Sequence, residues 1–352
     1  MGRGHFVSLG SLVLLLALGL AIWSGLGGSD RGPNSTNVVR PGVGEPLPPD
    51  QTTSVTVGAG NVGDGGPKWL SESVPKPLPG DSGQALYDRL LGKSVTSLWG
   101  EWDDAWLRAD LHELQIWVST LGANLRRTSD NGAYDEAARR LTDSQRTLSE
   151  RMGVVDALIY ASTPQAAAIL LDFLRENENP QTGLARHAGG ADALRLLERT
   201  REAIGEIAGT RVSGSRNWAV SAELESFWRF REEATSRQTL TSVGSAIAYL
   251  ARPEGAQLLI DTAANSPAED PARQIALNAL ASLRANDVVD VVSNALSQPG
   301  LGAAQTRALV LGLLSIGSLD AAQALDTNLA RVRGGVPDLL PRVEAMLAKY
   351  RK

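Results

Sequence analysis

Subtracting 33 from a residue number in the C-terminal third of this chain returns a residue of the same kind. Ile247, Leu280 and Leu313 share one phase, and Leu250, Leu283 and Ile316 share another. Leu259, Val292 and Leu325 coincide as well, as do Ala263, Leu296 and Leu329. A period of this length in apolar, Ala-rich sequence points to stacked helical units, each too small to bury its own apolar face alone. Ala246, Ala279 and Gly312 also fall in register, small residues where two helices can approach closely. Glu254, Asp287 and Asp320 recur where the second helix of each unit begins. Carboxylates there are favoured by the positive end of the helix dipole, so their recurrence has a structural cause and no catalytic reading is needed.

A copy of the same unit lies upstream. ALIYASTPQAAAILLDF (157–173) matches AIAYLARPEGAQLLIDT (246–262) without a gap, with Ala157/Ala246, Tyr160/Tyr249, Pro164/Pro253, Ala167/Ala256, Leu170/Leu259 and Asp172/Asp261 identical. The matched stretch has the form helix, short turn, helix. On these residues the chain resembles the HEAT-like, armadillo-type helical repeats, over about 240–352 and again over about 150–180. It lacks the tetratricopeptide Trp-Leu-Gly-Tyr pattern and the ankyrin Thr-Pro-Leu-His signature. The resemblance implies an all-α, right-handed α-solenoid of helical hairpins used for protein–protein contact, with no inherited catalytic residues.

Composition narrows the function classes. With a net charge of −5 the chain lacks the basic excess that neutralising phosphates requires, which argues against a nucleic-acid partner. Zero Cys excludes disulfides, thiolate metal sites and thiol catalysis. Phe6 to Leu26 is an uncharged apolar run preceded by Arg3. As a helix it would span roughly 31 Å, near the thickness of a bilayer core. Residues 1–27 are read as a signal anchor that places one span in the lipid bilayer; the competing reading is a cleaved signal peptide and secretion. Residues 28–81, rich in Gly, Pro, Ser and Asn, read as a flexible tether, with Pro75, Pro77 and Pro79 near Trp69 the stretch best suited to a partner-binding motif. The body divides into an N-terminal helical region, 82–236, and the HEAT-like repeats, 237–352. Pro164, Pro253 and Pro271 fall at expected helix starts, and Gly122, Gly209 and Gly317 near expected ends.

One long helix is expected over 96–120 and another over 133–152. The first carries Trp99, Trp102, Trp106 and Trp117, beside an apolar stripe of Leu107, Leu111, Leu114 and Val118. Packed inward, these rings would cap the open end of the array; exposed, they would form a partner-binding patch. Trp218 and Trp228, with Phe227 and Phe230, form a second cluster, read as core. Asp103, Asp104, Asp110 and Glu113 read as a solvated helix face.

Motifs that suggest chemistry fail on context. Gly58-Ala-Gly60-Asn-Val-Gly63 does not open a helix, and Gly92-Lys93-Ser94 lacks the first glycine of a phosphate loop, Tyr87 standing there. His5, His112 and His187 have no second ligand at metal-binding spacing. No cofactor, metal or catalytic residue is expected. The chain is therefore read as not an enzyme but a membrane-anchored scaffold or adaptor that binds a protein partner on its repeat surface. Its body would lie outside the cytoplasm, as on the periplasmic side of a bacterial inner membrane, in envelope assembly or secretion. The alternative is an α-helical hydrolase or glycan-binding enzyme using the Trp-rich helix, recognisable by rings lining an open cleft beside two carboxylates.

Overall fold

The computed structural model describes residues 81–178, 191–209 and 216–351. The expected anchor, the tether up to residue 80, His5, His187 and the Gly58–Gly63 motif lie outside the described residues. Helices follow one another as α1 (Asp81–Leu91), α2 (Val95–Arg108), α3 (Leu111–Arg127), α4 (Asn131–Thr142), α5 (Leu148–Ala161), α6 (Pro164–Asn177), α7 (Ala191–Ala208) and α8 (Ser221–Arg229). They continue as α9 (Arg237–Leu250), α10 (Pro253–Asn265), α11 (Pro271–Ala281), α12 (Val289–Ser297), α13 (Ala303–Ile316), α14 (Leu319–Thr327), α15 (Leu329–Gly335) and α16 (Leu340–Tyr350). Single 3-10 turns precede α8, α12 and α16. Among the described residues no helix is long and apolar enough to cross a membrane, and strand pairing is limited to one isolated bridge, Gly209 with Arg216.

The packing order is regular. Each odd helix lies against the next odd helix, from α1 to α15, and each even helix against the next even one, from α2 to α16. This is a two-layer helical-repeat fold, in which a hairpin contributes one helix to each layer. The 33-residue phases become its core: Ile247, Leu280, Leu313, Leu259, Val292 and Leu325 are all buried, each such side chain contributing about 1.5–3 kcal/mol on removal from water. Glu254, Asp287 and Asp320 occupy first turns, as the dipole favours.

The turns repeat with the helices. Ser162, Ala251 and Gly317 each end an odd helix in the left-handed conformation, with φ of 49°, 48° and 66°. Their amides bond to Leu158, Ile247 and Leu313, which are equivalent positions of the repeat. The upstream copy read from sequence is thus a copy in backbone geometry too. Only Gly317 adopts this conformation without steric cost; Ser162 and Ala251 hold it against a penalty of about 1–2 kcal/mol.

Two long helices expected from sequence are broken. Asp110 caps α3, its side chain accepting from the Glu113 amide while the Glu113 carboxylate accepts from the Asp110 amide. Thr147 and Glu150 do the same for α5. Each reciprocal box satisfies two amides that a helix start would otherwise orphan, so the chain restarts there. Asp110 and Glu113 stand exposed as expected and also form the cap, while Leu107 and Leu111 flank the break as exposed side chains instead of a buried stripe.

Gly122 also differs from expectation. It lies mid-helix in α3, where an added Cβ would sit 2.4 Å from Tyr160 Cβ and 2.6 Å from the Ala157 carbonyl oxygen of α5. Gly312 of α13 is matched similarly to the Leu280 carbonyl of α11, at 2.5 Å. These positions set how closely odd helices approach.

The middle of the stack is joined by charge. Glu178, buried at the end of α6, accepts from Arg201 of α7 at 2.6 Å and from the Ser236 amide, which caps α9, at 3.2 Å. Thr239 of α9 also donates to it. Two residues before Arg201, Arg199 pairs with Asp156 of α5 and with Glu206 of its own helix at 2.9 Å. Helix α7 is thereby fastened to neighbours on both sides.

Gly122→Ala is expected to cost about 1–3 kcal/mol, because the α3–α5 contact must open. Gly100→Ala, on the exposed side of α2 with nothing within 4 Å of its Cβ, should gain about 0.5–1 kcal/mol from helix propensity. Urea midpoints moving in the same direction for both would contradict this packing. Glu178→Ala strands the Arg201 guanidinium and should cost about 3–5 kcal/mol by the same measurement.

Candidate functional site

The Trp-rich segment sits where the stack begins. Trp99, Trp102 and Trp106 project from α2 and Trp117 from α3, the break at Ala109-Asp110 separating them. Trp99, Trp102 and Trp117 are buried and Trp106 half-buried. Trp102 stacks on Trp106 with centroids 4.9 Å apart, and meets Trp99 edge-on at 5.3 Å. Trp106 in turn presses on α5, where an added Cβ at Gly153 would lie 2.3 Å from its ring. The Trp99 indole donates to the Ala133 carbonyl of α4 at 3.0 Å. The four rings join α2, α3, α4 and α5, so as a group they form a cap rather than an open binding patch. The expectation of a partner-binding surface on them is corrected by their burial.

A charged rim closes over this aromatic centre. Arg140 of α4 is buried 5.2 Å from the Trp99 ring centroid. It donates to Asp103 at 2.7 Å, to Glu136 at 2.6 Å and to the Trp99 carbonyl at 2.9 Å. Arg146 reaches Asp103 from the following loop at 2.6 Å. The hydrogen bond from Arg146, with that from Arg140, holds the Asp103 carboxyl down at about 2. Glu136 is lowered too, first by its hydrogen bond from Arg139, and Glu101 by that from Lys93. A shallow hollow of about 290 Å³ lies beside them, bordered by Trp99, Gly100, Gly132, Glu136 and Arg140. Only one of the rings and one carboxylate border it. A glycosidase-type pair needs one carboxyl with a raised pKa to donate a proton, and the carboxyls here are held ionised by cations. The Trp-rich helix therefore lacks the open, two-carboxylate cleft that a sugar-cleaving site would require. Gly92-Lys93-Ser94 resolves likewise: Lys93 binds Glu101 and Ser94 caps α2.

The second aromatic cluster divides. Trp228 and Phe227 are core, but Trp218 is 53% and Phe230 69% exposed. Trp218 lies on the edge of the stack formed by the odd-to-even turns, its indole donating to the Leu250 carbonyl at 3.2 Å. Tyr249, 45% exposed, directly precedes Leu250 in α9, its ring against Gly209. Sequence reading placed Trp218 in the core with Trp228, Phe227 and Phe230 as one aromatic cluster. The signal against that reading was Asn217, which ends the preceding connection and bonds the Ser162 and Ile207 carbonyls, leaving Trp218 to start a separate 3-10 turn.

No protein-family model and no curated protein matches the chain. Among solved structures, it is similar to human deoxyhypusine hydroxylase in complex with glycerol, at 14% identity over 77% of this chain and 96% of that one, TM-score 0.29. It is also similar to the complex of CpcE and CpcF of phycocyanin lyase from Nostoc sp. PCC7120, at 15% identity over 78% of this chain and 99% of that one, TM-score 0.29. Both structures are named for catalysts, a hydroxylase and a lyase. The expectation that the chain is not an enzyme, which rested on the absence of a legible active-site motif, is not retained, and neither likeness assigns the chain an activity.

Asp103 has a measurable signature. Its carboxyl is depressed from 3.8 to about 2 in the folded chain, so its contribution to stability is full above about pH 4 and is lost as pH falls toward 2. The stability difference between wild type and Asp103→Asn should shrink over that window; a difference constant from pH 5 to pH 2 in urea titrations would refute the assignment.

Proposed function

We propose that the chain is a HEAT-like scaffold or adaptor, held at a membrane through residues 6–26 and docking a protein partner along its helical surface outside the cytoplasm. The observation that carries the reading is the regularity of the two layers: successive hairpins present equivalent outward positions, such as Thr241, Gln274 and Arg307, all exposed. Such an array offers an extended surface larger than a single cleft. The apolar run Phe6–Leu26 and the Pro- and Gly-rich stretch after it support the membrane-tethered part of the proposal. In a bacterium the setting would be envelope assembly or secretion.

A photo-crosslinking residue placed singly at Thr241, Gln274 and Arg307 of the full-length chain, in native membranes, provides the test. Adducts to one and the same protein from at least two positions are expected. Adducts scattered over unrelated proteins with none shared between positions, or none from any position, would count against the reading.

A further inference from the structure

Two equivalent carbonyls are capped by different side chains, and the difference points to a surface. The Ala161 carbonyl, next to the left-handed turn at Ser162, accepts from Arg126 of α3 at 2.8 Å. Its counterpart at the end of α9, the Leu250 carbonyl, accepts from Trp218 at 3.2 Å. The duty is the same. The guanidinium performs it while half-buried and shows no large apolar face, whereas the indole performs it with 53% of Trp218 in solvent. Capping accounts for the indole N–H and not for the exposed ring.

The neighbouring residue departs in the same direction. Tyr160 is half-buried in the upstream copy, while its counterpart Tyr249 is 45% exposed. Both exposed rings are held: Trp218 by its hydrogen bond, and Tyr249 by Gly209, whose added Cβ would lie 3.3 Å from the ring. Ordered aromatics lose little conformational freedom on binding, which is why Trp and Tyr recur at interface hot spots.

Three arginines lie beside the rings, with Glu254 and Asp287 as the carboxylates on the same turns. Arg216, two residues before Trp218, spans to the Arg284 carbonyl at 3.4 Å, placing two arginines along this edge. Neither has an ion pair among the described residues. Arg252 joins the group through Ser221, which accepts from Arg252 and donates to the Trp218 carbonyl, each at 2.8 Å; its own carboxylate partner is Glu254 at 3.3 Å.

We propose that Trp218 and Tyr249, flanked by Arg216 and Arg284, dock an acidic segment of a partner protein. A proline or aliphatic side chain of that segment seats on the rings while carboxylates flank it. This deepens the scaffold reading and rests on it. Charge complementarity selects the occupant: uncompensated guanidinium groups repel a basic partner and attract carboxylates, and the rings take the apolar side chain between them.

The test is fluorescence anisotropy on the full-length chain with a labelled peptide, Asp-Glu-Pro-Leu-Pro-Glu-Asp, and its uncharged analogue, Asn-Gln-Pro-Leu-Pro-Gln-Asn. The acidic peptide is expected to bind about tenfold or more tighter than the analogue, and Tyr249→Ser to weaken it about tenfold. Trp218→Arg restores an upstream-type cap and adds positive charge, so it should keep the helical circular dichroism yet weaken binding; a gain would mean that charge alone is read. Arg216→Gln with Arg284→Gln should remove the preference for the acidic peptide. Equal binding of the two peptides, no binding of either, or unchanged binding in these variants would overturn the proposal. So would finding that Trp218→Arg abolishes retention on phosphatidylglycerol vesicles or self-association in sedimentation while peptide binding stays the same. If crosslinks at Thr241, Gln274 and Arg307 persist while peptide binding fails, this surface is wrong and the scaffold reading stands; peptide binding without crosslinks gives the reverse.

Discussion

Backbone-to-backbone proximity within the odd layer governs this fold. Where Gly122 meets Ala157 and Tyr160, and where Gly312 meets Leu280, one helix comes so near the next that no side chain fits between. Such contacts gain dispersion along a whole helical turn, and each is made by only one small residue. The even layer packs around that spacing. Because a hairpin alone leaves its apolar face in water, its stability comes from the neighbour, and what must be specified most tightly is the distance between neighbours.

A stack of this kind has an end problem, and the aromatic centre answers it at the N-terminal side. Trp102 and Trp106 stack face to face and lean on Gly153, while Trp99 is tied to Ala133 and overlain by Arg140. Large rings fill the space between α2 and the helices that follow, α4 and α5. Asp103, Glu136, Arg140 and Arg146 then supply a charged lid, with each carboxylate matched by at least one guanidinium. The group sets fully paired carboxylates over a buried aromatic centre.

What could be read from the sequence was periodic. The phases of Ile247, Leu280 and Leu313, the prolines at the starts of α6, α10 and α11, and the left-handed Gly317 all follow from rules acting within one or two helical turns. The capping boxes at Asp110 and Thr147 obey a local rule as well, but the apolar periodicity running across them hid the breaks. Other features had no local signal. Glu178, Arg201 and Thr239 meet across tens of residues, and nothing near any of them announces the partners. Trp218 was misplaced for a related reason: its exposure depends on Asn217 bonding to carbonyls of two earlier helices, a tertiary event that hydrophobic spacing does not record.

The arginine pair on α7 has a consequence for the molecule as a whole. In a linear array, each interface is a link through which folding of one unit informs the next, and cooperativity extends only as far as the weakest link. Arg199 pairs with Asp156 of α5, while Arg201 joins Glu178 of α6 to Thr239 of α9, so α7 sits at the polar junction between the N-terminal and C-terminal hairpins. Coupling between the halves therefore runs in part through two arginines that stand two residues apart on one helix. A change in either would show first as uncoupling, with each half left to melt on its own terms, before any loss of structure within a half.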